Sequence, residues 1–270
     1  MASLVDRLVS DELWVLFRRV VPPTEVVRPQ GGGKRRADDR EVLTAIIFVA
    51  TSGCTWRQLP PVFGPCWQTV YRRFAQWSRD RGWARLHRAI LDELGARGEL
   101  DWSRCSIDSV SVRAAKGGLL TGPNPTDRGK LGSKIHLVTD RNGLPPSLGI
   151  SGVNLHDSQG LQPLIRGIPP IRSRRGPRRR RPVKLHGDKG YEYDHLRRWI
   201  RARGITPGIA RKGIESSQRL GRHRWVVERT GSWLAGCRRL HRRYERKPEH
   251  FLAFVGISAT LICHRRLVAA

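Results

Sequence analysis

Cys105-Ser106-Ile107-Asp108-Ser109-Val110-Ser111-Val112 is the stretch on which the fold turns. It is short, small and β-branched, and it follows a helical stretch, so it reads as a β-strand. Side chains alternate along a strand, which puts Asp108 on the same face as Val110 and Val112. A carboxylate there costs free energy unless a partner or a metal ion compensates it.

Toward the carboxyl terminus the same signals recur. Lys134 to Thr139 is a second strand, Asp140-Arg141-Asn142-Gly143 supplies an Asn-Gly turn, and Pro145 to Val153 returns as the other half of a hairpin. The apolar run Val183 to His186 leads into Asp188-Lys189-Gly190-Tyr191. Asp188 therefore sits where a strand ends and a glycine-assisted turn begins, the position at which open α/β sheets place their chemistry. Ile205 to Ile209 reads as a further strand that Pro207 and Gly208 restrict to an edge. Arg222 to Thr230 is helical in pattern and puts Arg224 one turn before Glu228 on one face. By itself that pair is a surface ion pair worth little. Phe251 to Ile257, continuing through Leu261 and Ile262, reads as a core helix or else a subunit contact. Strand, hairpin, helix, strand and helix in succession argue for a mixed α/β sheet with flanking helices.

Before residue 101 the pattern is helical. Leu43, Ile46, Ile47 and Ala50 recur at helical spacing until Ser52-Gly53 stops the helix. Thr55-Trp56-Arg57-Gln58 has capping-box form and opens a short second helix before Pro60-Pro61; a third runs from about Cys66 to Ser78. Three helices joined by short turns suit a helix-turn-helix-like unit whose last helix presents Gln68, Thr69, Arg72 and Arg73 to DNA. The alternative is an ordinary bundle with a basic solvent face. Residues 28–39 form a Gly-rich charged connector and residues 95–101 close the helical region, dividing the chain into 1–100 and 101–270.

Charge points the same way. The 270 residues carry 51 Lys plus Arg against 23 Asp plus Glu, a formal +28, and a polyanion is the natural partner for that imbalance. Eight of the cations are lysines and 43 are arginines, whose planar fork grips phosphate by two hydrogen bonds, although coding bias in GC-rich DNA also enriches arginine. The basic loop 171–182 either lies along a DNA backbone or is a solvated tract. Five scattered cysteines without a Cys-x-x-Cys pair read as reduced thiols in a cytosolic protein rather than a zinc site. Met1 to Val21 is too charged for a signal peptide, and Phe251 to Cys263 falls short of the roughly 20 residues of a membrane helix, so no membrane partner is expected. Gly129-Lys130 and Gly31 to Lys34 lack the remaining positions of a phosphate loop.

Taken together, Ser106 to Ser109, Gly122 to Gly129, Ser133 to His136, Asn154 to Asp157, Gly187 to Tyr191 and Arg224 to Arg229 resemble, in order and spacing, the DDE-class transposases of insertion sequences, in the large family numbered five. The amino-terminal Thr55 to Pro60, Thr69 to Phe74 and Trp77 are similar to the helical front of those proteins. The resemblance covers nearly the whole chain and implies a ribonuclease-H-like catalytic domain over 101–270. In that fold the first Asp stands on the first strand, the second just after the fourth, and a Glu on a helix after the fifth. Asp108, Asp188 and Glu228 match those stations. Where relatives often carry Tyr and Lys around the last acid, Gly221 and Ala235 stand here.

The implied chemistry is in-line displacement at a phosphodiester, in which two Mg²⁺ ions about 3.5–4 Å apart stabilise the attacking and leaving oxygens. Mg²⁺ takes hard oxygen ligands and keeps several waters, so three carboxylates suffice; Mn²⁺ can substitute. Asp108, Asp188 and Glu228 are thus expected as metal ligands and catalytic residues, with Lys134, Lys189 and Arg224 joining the helix-borne residues in DNA binding. The expected DNA partners are the terminal inverted repeats and a target, engaged by a homodimer. Asp157, next to His156, is the rival for second acid. A non-catalytic DNA-binding regulator derived from such an enzyme is the alternative function.

Overall fold

The computed structural model describes residues 7–21, 36–211 and 217–269, the side chains of 217–224 excepted. Part of the 28–39 connector, including Gly31 to Lys34, therefore lies outside the described residues.

Among the described residues the front of the chain contains helices α1 (Asp11–Val20), α2 (Asp39–Ser52), α3 (Trp67–Arg79) and α4 (Gly82–Arg97). Helix α2 starts because the Asp38 carboxylate accepts the Arg40 and Glu41 backbone N–H groups, at 2.8 and 3.1 Å, two donors that no helical carbonyl can reach. It stops at Gly53, whose left-handed φ of 76° lets its N–H close on the Val49 carbonyl. Gln58 Oε1 accepts from the Thr55 backbone at 3.0 Å, as the capping-box spacing predicts, but the expected second helix is only one 3₁₀ turn, Trp56–Gln58, followed by another at Pro61–Phe63. Pro60 and Pro61 lack the N–H donors that a longer helix needs.

The sheet contains β1 (Cys105–Arg113), a two-residue β2 (Gly122–Pro123), β3 (Leu131–Asp140), β4 (Ser147–Gly152), β5 (Lys184–Gly187) and β6 (Thr206–Ile209). Its main strands lie in the order β4-β3-β1-β5-β6; β3 is antiparallel to both β4 and β1, and β5 and β6 run parallel with β1. This is the ribonuclease-H-like mixed sheet, and it carries its proline strand at the edge as expected. Asp140 builds the hairpin turn: its carboxylate accepts the Asn142 and Leu144 N–H groups at 2.9 and 2.8 Å, and Gly143 takes φ 91°. Helices α5 (Ser158–Gly167), α6 (Asp194–Arg201), α7 (Ser217–Ala235) and α8 (Pro248–Ala269) complete the chain.

Helix α8 does not pack where sequence order puts it. Phe254 stacks on Phe74 of α3 at 4.7 Å, Cys263 lies 3.8 Å from His87 of α4, and Arg97 at the end of α4 donates to the Leu267 carbonyl. The last helix thus fills the core of the helical front, and buried residues of both regions form one hydrophobic cluster. By length and composition α8 could cross a bilayer, yet 72% of its apolar window is buried in the fold.

The segment between α7 and α8 ties the sheet to that core. The Arg243 side chain is fully buried. It donates to the Leu119, Leu120 and Glu245 carbonyls and to Ser133 Oγ over 2.6–2.9 Å, while its backbone exchanges hydrogen bonds with Arg113 and Ala115 at the end of β1. Arg239 and Glu245 beside it form a buried ion pair at 2.7 Å.

Candidate active site

Asp108 lies midway along β1 and is partly buried, its Oδ1 accepting the Ser109 N–H at 2.8 Å. The β1–β3 ladder runs without interruption from Cys105 to Arg113, so alternation holds and Asp108 shares a face with Val110. The β1–β5 ladder pairs Cys105 with Leu185 and Ser106 with His186; continued by two residues, that register sets Asp108 beside Asp188. Gly187 supports this alignment, because a Cβ added there would meet Ile107 Cγ2 at 3.1 Å. Position 187 therefore faces the Ile107 side of the sheet, and Asp188, in extended backbone, faces the Asp108 side. Neighbouring strands lie about 4.8 Å apart, and Asp188 directly follows the last residue of β5, the strand next to β1. Asp188 Oδ1 accepts the Gly190 N–H at 2.8 Å, capping the turn Lys189–Tyr191.

Helix α7 crosses that face. A Cβ on Gly231 would sit 3.3 Å from Val110 Cγ2, and Thr230 Oγ1, fully buried, donates to the Gly143 carbonyl at 2.7 Å. Glu228 is three residues before Gly231 and hence on the same side of the helix, one turn along, where it is exposed. Among the described residues no three His, Cys, Asp or Glu side chains close into a preformed metal cage. Carboxylates such as Asp108, Asp188 and Glu228 are the donor type that fits Mg²⁺, which retains several waters and takes one or two carboxylates together with substrate phosphates. Arg224 lies on α7, but its side chain is outside the described residues.

Asp157, the rival acid, belongs to the opposite face. Its Oδ1 accepts Ser109 Oγ at 2.7 Å and pairs with Lys134 Nζ at 2.8 Å, and both partners alternate away from Asp108. Burial raises its pKa, but the Lys134 and Ser109 hydrogen bonds outweigh burial and hold it below the usual carboxylate range. Lys134, which also donates to the Leu155 carbonyl at 2.7 Å, is thus committed inside the fold. His156 bonds Ser158 Oγ through Nδ1 at 2.8 Å.

On α3, Gln68 and Arg72 are exposed, Thr69 lies half-buried with its hydroxyl 3.4 Å from Cys66 Sγ, and Arg73 turns inward to within 3.9 Å of Asp39. Lys189 is half-buried beside Asp188. The basic loop is ordered: Ile171 and Arg179 exchange backbone hydrogen bonds at 2.8 Å, and Asp92 of α4 accepts the Arg172 N–H and the Arg178 guanidinium. Arg174, Arg175, Arg179 and Arg180 remain exposed. The sequence reading passes over Trp225, Arg229 and Trp233 on α7, whose four-residue spacing was the available signal.

Residues 9–87 match the family model "Putative transposase of IS4/5 family", and residues 103–263 match "Transposase DDE domain". The chain is similar to the "Putative transposase for insertion sequence element IS402" of Burkholderia cepacia, at 48% identity over 147 residues, 54% of this chain and 70% of that protein. It is 26% identical over 140 residues, 48% of this chain and 43% of the other, to the "Transposase for insertion sequence element IS1106" of Neisseria meningitidis serogroup B. Among solved structures, the chain in "Crystal structure of a pre-cleavage Mos1 transpososome" aligns over 90% of this chain and 81% of its own length, with 12% identity and a TM-score of 0.33. With the DDE-domain match alone running from residue 103 to 263, the chain belongs to the DDE-domain transposases of insertion sequences.

Proposed function

We propose that this transposase binds the terminal inverted repeats of its element, cuts DNA there, and joins the freed ends to a target, with Asp108, Asp188 and Glu228 as its metal-holding catalytic residues. The observation that carries the reading is the β1–β5 register, which pairs Ser106 with His186 and, extended by two residues, supports setting Asp108 beside Asp188. Mg²⁺ or Mn²⁺ held there supplies Lewis-acid stabilisation of the attacking and leaving oxygens. Asp108 would be the shared ligand of the two ions, and Asp188 and Glu228 would each hold one.

The exposed side of α3, with Gln68 and Arg72, reads the repeat, with Thr69 and Arg73 shaping that surface. Lys189 and Arg224 contact DNA beside the acids. The exposed arginines of the 171–182 loop add backbone charge at a site fixed by Asp92. Two ends must be cut in concert, so the working form is a homodimer on DNA, acting in the cytoplasm. The test uses the purified chain and a plasmid carrying its gene with flanking DNA. Asp108→Asn should abolish divalent-ion-dependent cutting while gel-shift affinity stays within about twofold. A variant that cuts at the wild-type rate refutes the acid assignment, and a wild-type protein that binds but cuts with no divalent ion is instead a DNA-binding regulator.

A further inference from the structure

On the flank of α7 away from Gly231, Trp225, Arg229 and Trp233 form a stripe. Arg229 Cζ lies 4.5 Å from the Trp225 ring centroid and 4.4 Å from that of Trp233, and Nη2 donates to the Asn142 carbonyl at 2.8 Å. The guanidinium is clamped between two indoles, yet Trp225 and Trp233 are 49% and 39% exposed. Indoles are large apolar groups whose contact with water is unfavourable, and two held rigidly at a surface mark a binding face.

They line a cleft of about 710 Å³ whose other walls include Arg104, Arg141, Arg265 and Arg266. With Arg229, five arginines in all line it, against two nearby carboxylates, Asp101 at 3.5 Å from Arg141 and Glu99 at 2.7 Å from Arg266. The cleft is therefore positive, aromatic and of a size that encloses a nucleotide. A duplex keeps its bases stacked inside and would leave the indoles unused; inorganic phosphate would leave most of the volume empty. Arginine on aromatic platforms matches an unpaired nucleic-acid strand, in which the bases stack on the rings and the phosphates meet the cations.

We propose that this cleft is a second DNA site, separate from the acid face, that takes an unpaired strand with one base against Trp225. The proposal rests on the transposase reading for the source of that strand, but its chemistry needs no metal. It is tested by fluorescence anisotropy of the full chain, in EDTA, with labelled oligo(dT) and with a duplex of the same length. Trp225→Ala should weaken oligo(dT) binding roughly 5- to 100-fold, the loss of one base stacked on a ring, and leave duplex binding within about twofold. Trp225→Phe should restore most of the loss, because a phenyl ring still offers a stacking face. Asp108→Asn should not change oligo(dT) affinity, so failure of the acid site and failure of the cleft are read separately. Equal losses for both DNAs, no loss for either, or a wild-type chain that does not bind oligo(dT) would each overturn the proposal.

Discussion

Replacing Arg243 with Met keeps most of the stem volume and removes every donor. The guanidinium makes four hydrogen bonds of 2.6–2.9 Å, to the Glu245, Leu120 and Leu119 carbonyls and to Ser133 Oγ, with a longer fifth at 3.3 Å to the Arg246 carbonyl. A buried polar group left without a partner costs about 1–3 kcal/mol. The Leu119 and Leu120 carbonyls belong to exposed residues that water can reach, so their share is small; Ser133, fully buried, bears the cost in full. The variant also no longer desolvates a cation, which offsets part of that cost. The net expectation is about 1–3 kcal/mol of destabilisation. That is a large part of the 5–15 kcal/mol typical of a folded protein. Urea unfolding followed by tryptophan fluorescence measures it, and Arg243→Lys should rescue little, since one ammonium cannot span acceptors on three separate segments. A loss below about 1 kcal/mol for Arg243→Met would show that the buried guanidinium is not the tie between β1 and the last helix described above.

Asp157→Asn separates the two faces of the sheet: it should lower stability by about 1–3 kcal/mol through the loss of the part-buried Lys134 pair, and leave DNA cutting within a few-fold of wild type, whereas cutting that collapses as for Asp108→Asn would return Asp157 to the catalytic set. His87 gives a pH signature. Burial pushes its imidazole down to about 4, partly offset by a hydrogen bond to the Pro145 carbonyl, so between pH 6.5 and 4 the unfolded chain takes up a proton that the folded chain refuses. Stability is therefore present above about pH 6.5 and falls by roughly 1.4 kcal/mol per pH unit toward pH 4. Asp140 acts in the opposite sense, because burial pushes its carboxyl up to about 7 and the folded state gains a proton as pH falls. The difference in urea midpoint between wild type and His87→Gln across that window isolates the imidazole, and parallel pH profiles would refute the assignment.

Much of the local architecture was legible in the sequence because its causes are local. The β-branched run at 105–112, the Asn142-Gly143 turn, the Gly53 stop and the Asp188 turn each follow from alternation, backbone freedom or a side-chain cap within a few residues. The edge position of β6 follows from proline's missing donor in the same way. What no local pattern carries is register and packing partner. β1 and β5 come together with an offset of 80 residues, and the face on which Asp157 ends depends on which side of β1 receives α5. Apolar periodicity told that α8 would be buried, but hydrophobic burial is non-directional, so only the assembled fold put it against α3 and α4. Arg243 looks like any other of the 43 arginines until four separate acceptors surround it, and a surrounding of that kind exists only in three dimensions.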